Sequence, residues 1–244
     1  MIPLHDDNPT ELTPVVTIGL IAVSTLVFLW QVSLPAGAAE QVVYAYGLIP
    51  AVLFGAARLP REIVAIPPEL SVLTSMFLHG GWIHLIGNML YLWIFGNNVE
   101  DAMGHGRFIV FYLLCGAAAA AAQVFQDPSS TMPMIGASGA ISGVLGAYLL
   151  LYPRAHVLTL LPIGFILIPL RVPAMVVLGF WFVLQFVQSA LSQGQPGGVA
   201  YWAHIGGFAA GMALIVPFRR KHVPLFGDGR AHVPRWFRRR GPWG

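Results

Sequence analysis

The chain has 244 residues, 57% of them hydrophobic and 9% charged, with a formal net charge of +3. Soluble domains carry roughly 25% charged residues, so a water-exposed fold of this size would lack the charge to cover its surface. The mean hydropathy of +0.72 places much of that surface in lipid. The single cysteine, Cys115, excludes a disulfide framework and a cysteine-based metal site, and reads as a small core or lipid-facing residue.

The N-terminal segment 1–13 (MIPLHDDNPTELT) is polar and acidic, without the basic start of a cleavable leader. Uncharged runs of about 20 residues then mark membrane spans. They are expected at 14–34, 77–99, 107–126, 136–152, 172–191 and 199–218. Between the first two, residues 35–77 carry Pro60, Pro67 and Pro68, which exclude one straight helix. This stretch is also too apolar for a free aqueous loop, so it is expected to lie in the membrane interface. The run VLTLLPIGFILIPL, between Arg154 and Arg171, holds two prolines and is too short to cross comfortably. It is expected to hug the membrane, with a seventh span as the alternative; no period-2 strand pattern and no repeat is evident. The Gly-rich segment Ser192 to Gly198 separates the last two spans and is a candidate gate for lateral entry. The tail, 219–244, is basic, broken by Pro and Gly, and expected to be disordered and to anchor at the membrane face. The fold class implied is an all-α polytopic membrane protein with six transmembrane helices in one domain, 14–218. Six spans put both termini on one side, together with 11 of the 13 Lys and Arg residues; Arg58 and Arg61 fall on the other. The positive-inside rule makes the termini cytoplasmic.

Polar groups at membrane depth are expensive and need a reason. His84 and Asn88 lie on span two, Ser138 on span four and His204 on span six. These three spans run in the same direction, and each ends at a charge: Glu100, Arg154 and Arg219. At the helix rise per residue, Ser138 lies roughly 24 Å, His204 roughly 22 Å, His84 roughly 24 Å and Asn88 roughly 18 Å from those charges. Three separate helices thus bring polar groups to about one depth, in the outer half of the membrane. Small residues four apart, Gly139 and Gly143 on span four and Gly207 and Gly211 on span six, allow the backbones to approach closely. That approach would bring the Ser138 hydroxyl within proton-transfer distance of an imidazole nitrogen of His204. Ser138 follows Pro133 and Gly136 at the start of its helix, so its backbone N–H is an unpaired donor at the positive end of the helix dipole. His84 and Asn88, four apart and on one face, can add donors to the same oxyanion. With no Asp or Glu at this depth, the expected chemistry is that of a Ser138–His204 dyad, nucleophile and general base, cutting peptide bonds within the bilayer. HGGWIH, from His79 to His84, lacks the glutamate and the spacing of a zinc protease, and Asp127 is a lone loop carboxylate, not an aspartyl pair.

GASG around Ser138, AHIGG around His204 and His79-x₄-His84-x₃-Asn88 resemble the motifs of the rhomboid intramembrane serine proteases. GNNVED ending at Asp101, the following GHGRF, and YPRA from Tyr152 to Ala155 also look rhomboid-like, and the resemblance covers residues 10 to 218. It implies a six-helix rhomboid-like bundle with Ser138 as nucleophile and His204 as base. It also implies an oxyanion hole formed by the Ser138 N–H, His84 and Asn88, an acyl-enzyme, and membrane-spanning protein substrates with small residues at the cleavage site. No cofactor, metal or nucleic acid is expected, and the compact core points to a prokaryotic plasma membrane. A catalytically inactive relative that binds or escorts membrane helices is the alternative. His79 is given a structural or water-organising role. Two positions depart from the family pattern. Ser142 stands where many relatives place an aromatic ring against the catalytic imidazole, and Leu70-Ser71 stand where Trp-Arg is common. The sequence therefore names no side chain that orients the His204 ring.

Overall fold

The computed structural model describes residues 1–191 and 199–227. In chain order it contains β1 (Ile2–Asp6), α1 (Val15–Ser33), α2 (Ala36–Tyr46), α3 (Pro50–Leu53), a 3₁₀ turn (Pro68–Leu70), α4 (Ser71–Thr74), a second 3₁₀ turn (Ser75–Phe77), α5 (Trp82–Met103) and α6 (His105–Gln126). Then follow α7 (Ser138–Leu151), β2 (His156–Ile163), β3 (Ile166–Pro173), α8 (Ala174–Leu191) and α9 (Tyr201–Phe218). The six longer helices α1, α5, α6, α7, α8 and α9 make a membrane bundle. Of these, α1, α6, α8 and α9 are at least 18 residues long and apolar enough by themselves to cross a bilayer.

Helix α7 is the hub, buried along nearly its whole length against α5, α6, α8 and α9. A helix without a lipid face need not span the hydrocarbon. At 14 residues it is about 21 Å long, well short of the roughly 30 Å core. Its first residue, Ser138, follows directly on the segment 127–137 that leads in from α6.

The second predicted span begins later than expected. Leu78 is extended, α5 starts only at Trp82, and the segment Pro68–Phe77 is bent by 81° from α5. Two consecutive glycines, Gly80 and Gly81, give the chain no side-chain reason to continue as helix. The region 36–77 forms short helices, as its prolines require. It is tied to the segment before α7 by paired Leu48 and Met134 backbones.

The run between Arg154 and Arg171 does not merely lie along a surface. It is a β-hairpin, β2–β3, and β1 from the N-terminal segment completes an antiparallel sheet in the order β1-β2-β3. Gly164, at φ +61°, opens the two-residue Gly164-Phe165 turn that joins Ile163 to its partner Ile166. The usual strand alternation is hidden because both faces are apolar. Val157 and Thr159 turn into the bundle while Ile166, Leu167 and Ile168 are exposed, with Phe165 at the tip. Pro169 sits on the edge strand β3, where a missing N–H is tolerated.

The end of the bundle away from Ser138 is locked by the GNNVED segment. Glu100 is fully buried and caps the start of α1: its carboxylate accepts from the Val16 N–H (2.9 Å), the Thr17 N–H (2.8 Å) and the Thr17 hydroxyl (2.6 Å). His105 Nδ1 lies 2.6 Å from the same carboxylate. Asp101 accepts from the Glu11 and Leu12 N–H groups. Negative charge at a helix N-terminus satisfies both its unpaired donors and its dipole. A single residue, Gly104, joins α5 to α6 at φ +85°, a conformation that favours glycine.

Part of the tail is also ordered, against expectation. Val223 is buried, and the Phe226 and Gly227 N–H groups donate to the Leu150 and Leu151 carbonyls, capping the end of α7. The rest of the basic tail, 228–244, and the Ser192–Gly198 segment suggested as a gate lie outside the described residues.

Replacing Glu100 with Ala leaves buried N–H groups of α1 without an acceptor. The expected loss is about 3 kcal/mol, read as a lower unfolding midpoint in detergent. A second prediction concerns β1. The Tyr148 hydroxyl donates to Asp6 (2.6 Å), and burial raises the Asp6 carboxyl to about 7. A carboxyl raised by folding contributes stability that is present at low pH and is lost as pH rises through about 7. Protease sensitivity of the N-terminal segment should increase over that interval, and Asp6→Asn should abolish the increase.

Candidate active site

Ser138 is the first residue of α7, and its Oγ lies 2.8 Å from His204 Nε2 on α9. Helix-to-helix contact makes this possible. A methyl group at Gly207 would collide with the Gly139 carbonyl, and one at Gly211 with the Gly143 carbonyl. Gly139 and Gly143 also face α6: a Cβ on Gly139 would strike the Ala119 methyl, and one on Gly143 would strike Cys115. Cys115 is thus a fully buried packing residue beneath the site. Four predicted glycines therefore serve a three-helix junction, α6–α7–α9, rather than α7 and α9 alone.

Gly136 precedes the helix at φ +125°, and its N–H donates to the Ser75 carbonyl (2.9 Å). A Cβ placed there would lie 2.7 Å from His84 Nε2 and 3.7 Å from Ser138 Oγ, so the His84 ring and the serine hydroxyl flank the same bare glycine. The Gly80 N–H donates to His84 Nδ1 (3.3 Å). A ring nitrogen that accepts carries no proton in the neutral form, which leaves the N–H on Nε2, the nitrogen beside Gly136. Asn88, one turn further along α5, is buried, and its side-chain N–H₂ has no hydrogen-bond partner among the described residues. A buried orphan donor is costly, and it is what a site awaiting an anionic oxygen provides. In the first turn of α7 the Ser138 N–H has no helical acceptor either. A small cavity of about 20 Å³ adjoins Ser138, bordered by Ser75, Met76, Ala119 and Gly136. That is room for one water molecule or a methyl-sized group.

His79 is buried and fastened to α1: its N–H donates to Gln31 Oε1 (3.1 Å), and Gln31 Nε2 donates back to the His79 carbonyl (3.4 Å). Its ring meets His84 edge-on, with 5.2 Å between centroids.

His204 is held from α8, by residues that the motifs do not include. Gln185 on α8 is 5% exposed, and its Oε1 lies 2.7 Å from His204 Nδ1. Trp181, one turn earlier, lays its indole against the imidazole at 5.7 Å and 37°. An aromatic ring thus reaches the histidine from α8 instead of from position 142. Ser142 instead donates to the Ser138 carbonyl (2.6 Å) within its own helix. A detectable signal was present: Gln185 is a polar side chain inside an uncharged apolar run.

This fold and this site define a polytopic bundle with a serine and a histidine joined at the head of a short central helix. The sequence profile of the Rhomboid domain matches residues 69–221, and the chain belongs to the rhomboid family. It is 36% identical over 166 residues to rhomboid protease GluP of Bacillus subtilis, covering 68% of this chain and 30% of that protein. It is 32% identical over 91 residues to RHOMBOID-like protein 5 of Arabidopsis thaliana, covering 37% of this chain and 29% of the relative. With the mitochondrial Rhomboid protein 1 of Saccharomyces cerevisiae it shares 29% identity over 134 residues, covering 49% and 39%. The chain therefore spans about a third of the length of these relatives.

Gly136→Ala would force a side chain into a left-handed conformation and against His84. Labelling of Ser138 by a fluorophosphonate should fall at least about tenfold, while the helix content measured by circular dichroism is unchanged.

Proposed function

We propose that the protein is an intramembrane serine endopeptidase that cleaves transmembrane segments of other membrane proteins. The observation that carries this reading is the 2.8 Å contact between Ser138 Oγ and His204 Nε2 at the head of α7. Ser138 Oγ attacks the scissile carbonyl carbon as His204 Nε2 takes the hydroxyl proton. The carbonyl oxygen becomes an oxyanion facing the Ser138 N–H, His84 Nε2–H and the unpartnered Asn88 N–H₂. Collapse of that intermediate expels the amine, which receives the proton from His204, and leaves an acyl group on Ser138. A water molecule, deprotonated by His204, then releases the second product and restores the serine.

The bundle from 14 to 218 is the catalytic membrane domain in this reading. The membrane is the prokaryotic plasma membrane, with both termini in the cytoplasm, as the basic residues of segment 219–221 and Arg107, Arg154 and Arg171 favour. Ser138 then opens toward the outer side, from which water enters. The cavity of about 20 Å³ beside Ser138 favours a small side chain next to the cleaved bond.

The test is incubation of purified protein in detergent with a single-span model substrate. Wild type should cleave it, and a fluorophosphonate should label Ser138. Ser138→Ala and His204→Ala should abolish cleavage, while Asn88→Ala should retain measurable turnover, lowered by about 10- to 100-fold because other donors remain. Cleavage that survives Ser138→Ala overturns the mechanism.

A further inference from the structure

We infer that Gln185 is a positioning residue that selects the His204 tautomer required for proton abstraction, and that the backbone of Trp181 sets the direction of the Gln185 amide. The inference rests on the reading of Ser138 and His204 as a catalytic dyad and deepens it.

The Trp181 carbonyl can only accept a hydrogen bond, and Gln185 Nε2 donates to it at 3.0 Å. The amide has one donating and one accepting end, so its oxygen must face the other way, toward His204 Nδ1 at 2.7 Å. An oxygen that only accepts requires a proton on Nδ1. A neutral imidazole carries a single N–H, so Nε2 presents a lone pair to Ser138 Oγ at 2.8 Å. The serine hydroxyl is then the donor, and its proton points at the base.

The three bonds form a one-way chain. The Ser138 hydroxyl donates to His204, His204 donates to Gln185, and Gln185 donates to the Trp181 carbonyl. Each bond polarises the next in the same sense. The opposite tautomer, with the proton on Nε2, would set a lone pair on Nδ1 against the Gln185 oxygen and leave the serine without a base. When His204 takes the serine proton, both ring nitrogens become donors, and the Gln185 oxygen already faces the Nδ1–H. A carboxylate does this work in soluble triads. Here an ionised acid would have to be desolvated on a helix without charged residues, at a position where Gln185 itself is 5% exposed. A neutral amide supplies the same acceptor without that cost, although it stabilises the imidazolium less. Trp181 contributes twice, since its carbonyl directs the amide and its indole packs on the imidazole face.

The decisive measurement needs no substitution in α8. Nitrogen-15 spectra of histidine-labelled full-length protein in detergent micelles, with the His204 signals assigned by their loss in His204→Gln, report which ring nitrogen bears the proton. Protonated Nδ1 and bare Nε2 are expected; the reverse assignment overturns the inference. Two variants test the consequence. Gln185→Leu, which keeps bulk and removes the acceptor, should lower kcat on the model substrate by about 100-fold with KM within about twofold. It should also mix or invert the His204 tautomers. Gln185→Glu, which keeps an acceptor toward Nδ1, should restore kcat to within about tenfold of wild type. A Gln185→Leu enzyme with kcat within about threefold of wild type, or with an unchanged His204 tautomer, overturns the assignment. If wild type neither cleaves nor labels at Ser138, the dyad reading fails, while the nitrogen spectra still decide the tautomer chain.

Discussion

At Gly143 and Gly211 the backbones of α7 and α9 come into direct contact, and at Gly139 and Gly207 they do so again one turn closer to Ser138. Lipid offers no hydrophobic force to drive such an approach. It depends on removing side chains until main chains touch and on filling the remaining space with small groups from a third helix. Ala119 and Cys115 of α6 fill that space. A serine hydroxyl and an imidazole carried on separate helices meet at 2.8 Å only because this junction is so close. Adding one methyl at Gly207 or Gly211 would move the two functional groups apart before it touched either of them.

The cluster at Glu100 and the site around Ser138 use different polar groups. The far end uses full charges: Glu100 and Asp101 cap α1, with His105 alongside. The site around Ser138 is assembled from other side chains: the serine, three histidines, an asparagine and a glutamine. The division follows from cost. A buried carboxylate is supportable where three donors of α1 converge on it, as on Glu100. On α8 the acceptor that meets His204 is an amide, that of Gln185.

The sequence made the most of what depends on spacing and composition. Lipid exposure, the helical bundle, the equal depth of Ser138, His84 and His204, and the small-residue faces could all be read from runs, charges and helix rise. It failed where a feature depends on the partner and not on the residue. The β2–β3 hairpin lacks a clear alternation because its exposed side chains are largely apolar, like its buried ones. The caps at Glu100 and at the end of α7 join residues far apart in the chain. Gln185 was overlooked beside the more familiar residues, although the rule that flagged Asn88, a polar side chain at membrane depth, applied to it equally. The family pattern points to position 142 for an aromatic neighbour of His204, whereas Trp181 supplies it from another helix.

The sheet at the far end ties the beginning of the chain to its middle. β1 covers the open edge of β2, and the other edge, β3, carries Pro169. Only one edge of the hairpin therefore has built-in protection against pairing with another molecule. A protein trimmed back to the first helix would keep every residue of the proposed catalytic machinery, yet it would present β2 as a bare, apolar pairing edge. Self-association of such a shortened chain would reflect the lost strand, and its oligomeric state would say nothing about that of the intact protein.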